Sequence, residues 1–347
     1  MKNRTLSIVS GILLPVAGLV ALAACDNLIY DDEGDCEASY TVSLVYDMNL
    51  EYADAFAHYV ETVTLCAFGS DDVLAYTKTE DAGTIIENDQ KMDVSDITPG
   101  TYTLVVWAEG EEETADCYER ASLSVGSTTL DELTCRLART SDSEGDAVID
   151  HALTPLFNGY LEDADLTDIG YDGERNVEVD LTKDTNSLVV VLQHLSGEDV
   201  NVADFTFEVT DNNGLLDYDN SVIPDDELSY RPWTLSSGTA SVTDDEESDT
   251  QTSVAVAVAE FALNRLVTTN DPRLTVYDTE GDIVLSIPLI DYATLVKSHY
   301  SGDITDQEYL DRQDEYSMTF FLDDNDRWVN TVIIINSWRI VMEDIDL

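Results

Sequence analysis

Hydrophobic patterning divides the chain into two regimes. From Leu6 to Ala24 apolar residues run almost without break, interrupted by Gly11, Pro15, Gly18 and a few serines, whereas beyond Tyr40 the rule is alternation. Tyr40, Val42, Leu44 and Tyr46 alternate with Thr41, Ser43 and Val45, and Val63, Leu65 and Ala67 alternate with Thr62, Thr64 and Cys66. A period of two marks half-buried strands. Pro99-Gly100 turns into a β-rich run over 101–108, and another strand is predicted near Cys135. Further strands are expected at 176–181, 187–192, 205–210, 253–261, 273–277, 283–288, 317–322 and 330–335, with Asn213-Gly214 as a hairpin turn after one of them. One helical island falls between Asp291 and Asp314, divided at Gly302. Short strands separated by turns, with little helix, predict an all-β protein of two tandem β-sandwiches, the second carrying a short helical insertion.

The boundaries follow from the same pattern. Residues 36–140 form the N-terminal sandwich, the polar and acidic stretch 141–150 a linker, and 151–347 the C-terminal sandwich. About 320 residues beyond the leader exceed what one core usually spans, which agrees with two domains.

The first apolar run is long enough to span a membrane, which takes about 20 residues. Its internal glycines and proline, its short positive start at Lys2 and Arg4 and its small-residue end read instead as a removable signal over 1–24. Leu22-Ala23-Ala24-Cys25 fits the bacterial lipobox, so Cys25 is the expected lipidation site, with an S-diacylglycerol and an N-acyl chain, palmitate being typical. At roughly 0.8 kcal/mol per buried methylene, several chains hold a protein firmly on a bilayer. Residues 25–35 then form an acidic tether in which Asp31, Asp32, Glu33 and Asp35 repel one another and keep it extended. A plain signal or an anchor helix is the alternative.

Charge narrows the partners. A net charge of −56 over 347 residues argues against nucleic acid, whose phosphates need Lys and Arg, and against docking to anionic headgroups. A hydrophobic content of 44% excludes a disordered acidic tail.

Besides Cys25 there are four cysteines, Cys36, Cys66, Cys117 and Cys135, all in the first half. In an exported protein they are candidate disulfide partners, and two disulfides are expected in the first domain; three pairings are possible and the sequence does not choose among them. Zinc is disfavoured because no C-x-x-C is present and His58, His151, His194 and His299 are scattered. Catalytic signatures are likewise missing: no G-x-S-x-G, H-E-x-x-H, P-loop or G-x-G-x-x-G occurs, so no enzyme activity, cofactor, metal or small-molecule substrate is expected. Asp217-Tyr218-Asp219 followed by Ser221 imitates the start of a calcium loop, yet Val222 stands where glycine belongs and Leu228 where the bidentate acid belongs; a solvated loop is the simpler reading. Trp107, Trp233, Trp328 and Trp338 could form a sugar-stacking platform, although tryptophan in a β-rich run is more often core.

Three stretches carry a family resemblance: CEASYTVSLVYDMNLEYADAFAHYVETVTLCAF at 36–68, DNNGLLDYDNS at 211–221 and QEYLDRQDEYSMTFFLDDNDRWVNTVIIINSW at 307–338. With the lipobox, and in this order, they resemble the FimB-like fimbrial anchoring subunits of Bacteroidales type V fimbriae, minor-subunit lipoproteins. Two departures stand out. Ser337 precedes Trp338 where glycine is expected, and Cys66 replaces an aromatic residue.

The resemblance implies two transthyretin-like sandwiches, held by lipid on the outer membrane and facing outward at the base of a fimbrium. Stalk subunits of the same filament are the implied partners, joined by strand addition, in which an open edge supplies main-chain hydrogen bonds. Such a subunit anchors the filament and could end it or set its length. The acids after Cys25 resemble surface-export signals. Stalk subunits of such filaments resemble proteins trimmed after arginine, but from Cys25 to Lys78 this chain has no Lys or Arg. The rival readings are a surface glycan-binding or adhesive lipoprotein with the same anchor and modules, and, without a motif to support it, a lipid-anchored hydrolase.

Overall fold

The computed structural model describes residues 38–170, 173–243, 251–300 and 303–341. In chain order the strands of the first half are β1 (Ser39–Val45), β2 (Thr62–Phe68), β3 (Leu74–Asp81), β4 (Lys91–Asp93), β5 (Gly100–Glu109), β6 (Tyr118–Arg120), β7 (Cys135–Leu137), β8 (Thr140–Ser141), β9 (Ala147–Ile149), β10 (Leu156–Leu166) and β11 (Glu174–Lys183). The second half adds β12 (Asn186–His194), β13 (Thr206–Asp211), β14 (Leu215–Leu216), β15 (Leu228–Tyr230), β16 (Thr234–Thr243), β17 (Gln251–Leu263), β18 (Arg273–Tyr277), β19 (Ile283–Pro288), β20 (Glu315–Leu322), β21 (Trp328–Ile335) and β22 (Trp338–Val341). Helices are short: α1 (Phe56–Tyr59), α2 (Ala82–Glu87), α3 (Leu289–Thr294), α4 (Lys297–Tyr300) and α5 (Asp306–Arg312).

The expected all-β architecture is borne out. One seven-stranded sheet, in the order β3-β2-β5-β10-β11-β1-β4, builds the N-terminal lobe. It curls on itself, because the inward side chains of β1 (Tyr40, Val42, Leu44) share one core with those of β2, β5 and β10 at the other end. The outer face of β2 and β5 is covered as well: Cys66, Phe68, Val105 and Trp107 pack under the small sheet β14-β7-β6. That second layer explains why the alternation of β2 fades after Thr64, since both faces of its last residues are buried.

The C-terminal lobe is a sandwich of two six-stranded sheets, β16-β17-β12-β20-β21-β22 and β19-β18-β13-β15-β9-β8. Leu188, Val190 and Leu192 of β12 meet Phe207 and Val209 of β13 and Leu274 and Val276 of β18 in its core. The helical insertion is present as α3, α4 and α5, beginning at Leu289 rather than Asp291; Gly302 lies outside the described residues.

The lobes do not divide where the sequence pattern placed the boundary. The stretch 141–150 is not a free linker: β8 ends and β9 runs within it, and β9 pairs in parallel with β15 in the C-terminal sandwich. Strands β10 and β11, expected in the second domain, instead join β5 to β1 in the N-terminal sheet. The cause is pairing at long range. Seven residues of β1 run parallel to β11, from Ser39↔Glu174 to Val45↔Asp180, and no local signal announces a partner so far along the chain.

Asn213-Gly214 does not make a hairpin either. Neither residue has a positive φ. Asn213 is buried, donates through Nδ2 to the carbonyls of Asn264 and Arg265 and accepts the Tyr230 hydroxyl at 2.6 Å. The chain passes through this clamp from β13 to β14, which pairs with β7 beneath the N-terminal lobe.

Candidate functional site

Free strand edges and the junction between the lobes are where this fold presents main-chain and polar groups to a neighbour. The edges of the N-terminal sheet are guarded. β4 is only three residues long, and β3 carries Lys78, whose Nζ donates to the Asp93 carbonyl and pairs with Glu80. Short, charged edges resist unwanted strand pairing. Among the described residues the longest open edge is β16, ten residues paired only to β17 and rich in small polar side chains such as Ser236, Ser237 and Thr239.

β1 is held on both sides, by β11 and by β4. Its Tyr40, Val42 and Leu44 are buried, each worth about 1.5–3 kcal/mol relative to exposure. The N-terminal lobe is therefore closed by its own first strand.

The junction between lobes is polar. Asp184, in the two-residue crossover from β11 to β12, is completely buried. Burial raises its carboxyl to about 7, against the pull of Arg265, whose Nε lies 4.0 Å away. Arg265 also donates to Asp311 of α5, at 2.8 Å from Nη2, and to the Asn220 carbonyl. Arg312 reaches back from α5 to the carbonyls of Asp47 and Asn49, with its guanidinium 4.2 Å from the Tyr52 ring centre. Lys183 pairs with Asp314 and lies over the Tyr59 ring.

Two hollows flank that last pair. One, of about 210 Å³, is walled by Lys183, Ser187, Trp233 and Phe261. The other, of about 470 Å³, is walled by Tyr46, His58, Tyr59, Tyr300 and Asp314.

The residues singled out in the sequence fall as follows. Cys25, Asp31, Asp32, Glu33, Asp35 and Cys36 lie outside the described residues. Cys66, Cys117 and Cys135 are buried free thiols, so the expected pair of disulfides is not found among the described residues. Cys66, 3.7 Å from the Thr77 hydroxyl, and Cys135, on β7 of the small sheet beside Arg120, share the core between that sheet and β2 and β5, whereas Cys117 packs in the C-terminal core. Burial pushes the thiols of Cys66 and Cys135 up to about 11.

The 217–221 loop is a tight turn rather than a solvated loop. Asp217 N–H donates to the Ser221 carbonyl, Asn220 is buried with φ 67°, and Tyr218 packs near Tyr160. Among the described residues no cluster of three metal-ligating side chains occurs. Trp107 and Trp328 pack against cores as expected, but Trp233 and Trp338 are 46% and 43% exposed. Composition and pattern could not separate these two pairs, because all four lie in or beside strands.

Ser337 and Asn336 occupy a two-residue turn between β21 and β22, with φ of 70° and 46°. Both residues of such a mirror-type turn need positive φ, which is why glycine would fit the Ser337 position. Asn336 supports the turn by exchanging hydrogen bonds with Ser317 of β20.

Comparison with known proteins decides the family. A model of the family described as fimbrillin-A associated anchor proteins Mfa1 and Mfa2 matches residues 32–344. The chain belongs to this family. Among solved structures, an adhesin candidate of Bacteroides thetaiotaomicron is 30% identical, with a TM-score of 0.72, the match covering 90% of this chain and all of that one. A second protein of the same organism, described as a candidate polysaccharide-binding protein, is 26% identical with a TM-score of 0.72, over 89% of this chain and 99% of that one. The fimbrial anchor protein Mfa2 of Porphyromonas gingivalis shares the fold, at 19% identity and a TM-score of 0.56, over 89% of this chain and all of that one. No curated protein matches the chain. The fimbrillin-A associated anchor family is one of anchoring and adhesive proteins, not of enzymes. Among the described residues no helix is long and apolar enough to cross a membrane.

Proposed function

We propose that the protein is a lipid-anchored minor subunit that holds a surface fimbria to the outer membrane, attached through acyl chains on Cys25 and joined to stalk subunits by strand addition. The observation that carries this reading is the position of β1. The strand lies wholly inside the stretch from Cys25 to Lys78 that contains no Lys or Arg. A protease that cuts after basic residues therefore has no site between the lipid and the strand that closes the N-terminal lobe.

In the stalk subunits that the resemblance implies, loss of the first strand would open a groove for the next subunit. Here the groove stays filled by Tyr40, Val42 and Leu44, and the chain stays tied to its lipid. A subunit whose N-terminal groove cannot open ends the filament on that side, which is what an anchor must do. The open β16 edge of the other lobe is available for the strand contact with the stalk.

The test is the mature N-terminus in cells. Mass spectrometry of protein released with sheared filaments should find a chain beginning at an acylated Cys25, and Cys25→Ala should free the protein from the membrane fraction. Mature chains starting beyond Val45 would overturn the reading.

A further inference from the structure

We propose that the lobe junction is a carbohydrate-binding groove, taking a neutral extended glycan across the exposed rings of Trp233 and Tyr59. This does not depend on whether the chain anchors a filament. The two hollows described above meet at the Lys183–Asp314 pair: Lys183 lines the smaller, Asp314 lines the larger, and Ser187 of the smaller donates its N–H to the Asp314 carbonyl at 2.8 Å. The two hollows are therefore neighbours on either side of that pair, and an extended ligand would run from one to the other. The larger alone, about 470 Å³, lies within the range of roughly 300–1,000 Å³ typical of small-molecule sites, which favour such domain boundaries.

The aromatic rings give the groove its chemistry. Trp233 is 46% exposed and Tyr59 50% exposed, one at each hollow, while Trp107 and Trp328 are packed away. Large rings left at the rim of a cavity forgo burial unless a ligand covers them. A pyranose ring offers one face of C–H groups that suits an aromatic face, and a rim of hydroxyls that must stay hydrogen-bonded or wet. The groove supplies both. Among the described residues no hydrogen bond occupies the side chains of Ser187 and Glu113 in the smaller hollow, or of His58 and Glu315 in the larger.

Charge selects a neutral ligand. The cations at the junction are engaged, Lys183 by Asp314 and Arg312 by Glu308, while Glu113 and Glu315 remain at the groove in a chain of net charge −56. Polyanions are repelled. A peptide is the competing occupant, but its apolar side chains would need an enclosed pocket. These rings stand half in water, where a stacked sugar keeps its outward hydroxyls solvated.

The experiment is affinity electrophoresis of the purified chain in native gels containing laminarin, yeast mannan, starch or galactan. It compares wild type with Trp233→Ala, Tyr59→Ala and Trp338→Ala. Trp338 is the control, similarly exposed, stacked on the His299 ring and at the opposite edge of the sheet that begins beside Trp233, about five strand spacings of ~4.8 Å away. The expected result is retardation by at least one of the four polymers, weakened at least tenfold in Trp233→Ala and Tyr59→Ala, unchanged in Trp338→Ala, with the melting temperature of Trp233→Ala unchanged. Should Tyr59→Ala melt earlier, Trp233→Ala alone carries the comparison. No retardation by any of the four, or equal retardation of wild type and Trp233→Ala, would each overturn the proposal.

Discussion

The carboxyl group of Asp184 stands 4.0 Å from Nε of Arg265, fully buried, and among the described residues no hydrogen bond reaches either of its oxygens. It sits in the crossover that joins the lobes, and Arg265 divides its attention between this group and the closer Asp311. Desolvation therefore outweighs the attraction of Arg265, and the carboxyl is raised from 3.8 to about 7.

A pH dependence with a definite sign follows. Between pH 4 and 7 the folded state holds a proton on Asp184 that the unfolded chain has lost. The contribution of this group to stability thus falls as pH rises through that window. Asp184→Asn should leave stability nearly unchanged near pH 3, below both values, and improve it increasingly as pH rises from 4 to 7, by at least about 1–3 kcal/mol relative to wild type at pH 7.5. Urea unfolding of both proteins at the two pH values checks this, and a difference independent of pH would contradict it.

Asp225 is the opposite case. Its side chain is 5% exposed and is gripped by both Arg136 and Arg139, the latter at 2.6 Å. Burial alone would raise its carboxyl, but the hydrogen bonds from the two arginines hold it at about 2. Asp225→Ala should destabilise the protein by about 3–5 kcal/mol, the cost of stranding a buried partner, by loosening the segment that leads from the small sheet to β15. Because the folded value is depressed, the stability Asp225 contributes is present above pH 4 and lost as pH falls toward 2. Denaturant titration of the variant at pH 7 reads the first effect, and acid titration of wild type against Asp225→Asn reads the second.

Ser337 carries a backbone cost that glycine would not. Its φ of 70° places a β-carbon in the left-handed region, next to Asn336, which tolerates that region better. Ser337→Gly should raise stability by about 0.5–1 kcal/mol, whereas Ser337→Val should lower it. Thermal melts of the two variants distinguish strain in the turn from a neutral surface change.

The thiols offer a direct check on packing. Cys66, Cys117 and Cys135 should resist alkylation in the native protein and react fully in denaturant without prior reduction. Peptide mapping after iodoacetamide treatment would show it. Recovery of a disulfide-linked pair among these three would contradict the arrangement of the small sheet.

What the sequence disclosed, and what it concealed, has a physical logic. β1, β12 and β20 announced themselves because one face of each meets a core and the other meets water or a polar layer. β16 stayed hidden because an edge strand open to solvent on both faces carries Ser, Thr and Gly rather than an apolar stripe. β10 was obscured by a bulge between Leu161 and Ala164, where Asp163 takes φ 52° and resets the alternation. The same limit applies to the candidate groove. Trp233 and Tyr59 are 174 positions apart, and only the passage of β11 into β12 between the lobes brings their hollows together. Ser337, by contrast, stood out through the family resemblance, as a serine where glycine is expected, and the two-residue turn between β21 and β22 gives the local backbone reason.

β1 also has a mechanical meaning. A tension entering at its N-terminal end and resisted by the rest of the sheet runs along the strand, parallel to its ladders with β11 and β4. Such a load shears many main-chain hydrogen bonds at once, whereas peeling from an edge would break them one after another. The first strand of the fold is thus placed as a strain-bearing rivet, oriented so that a pull on the molecule is shared across both ladders.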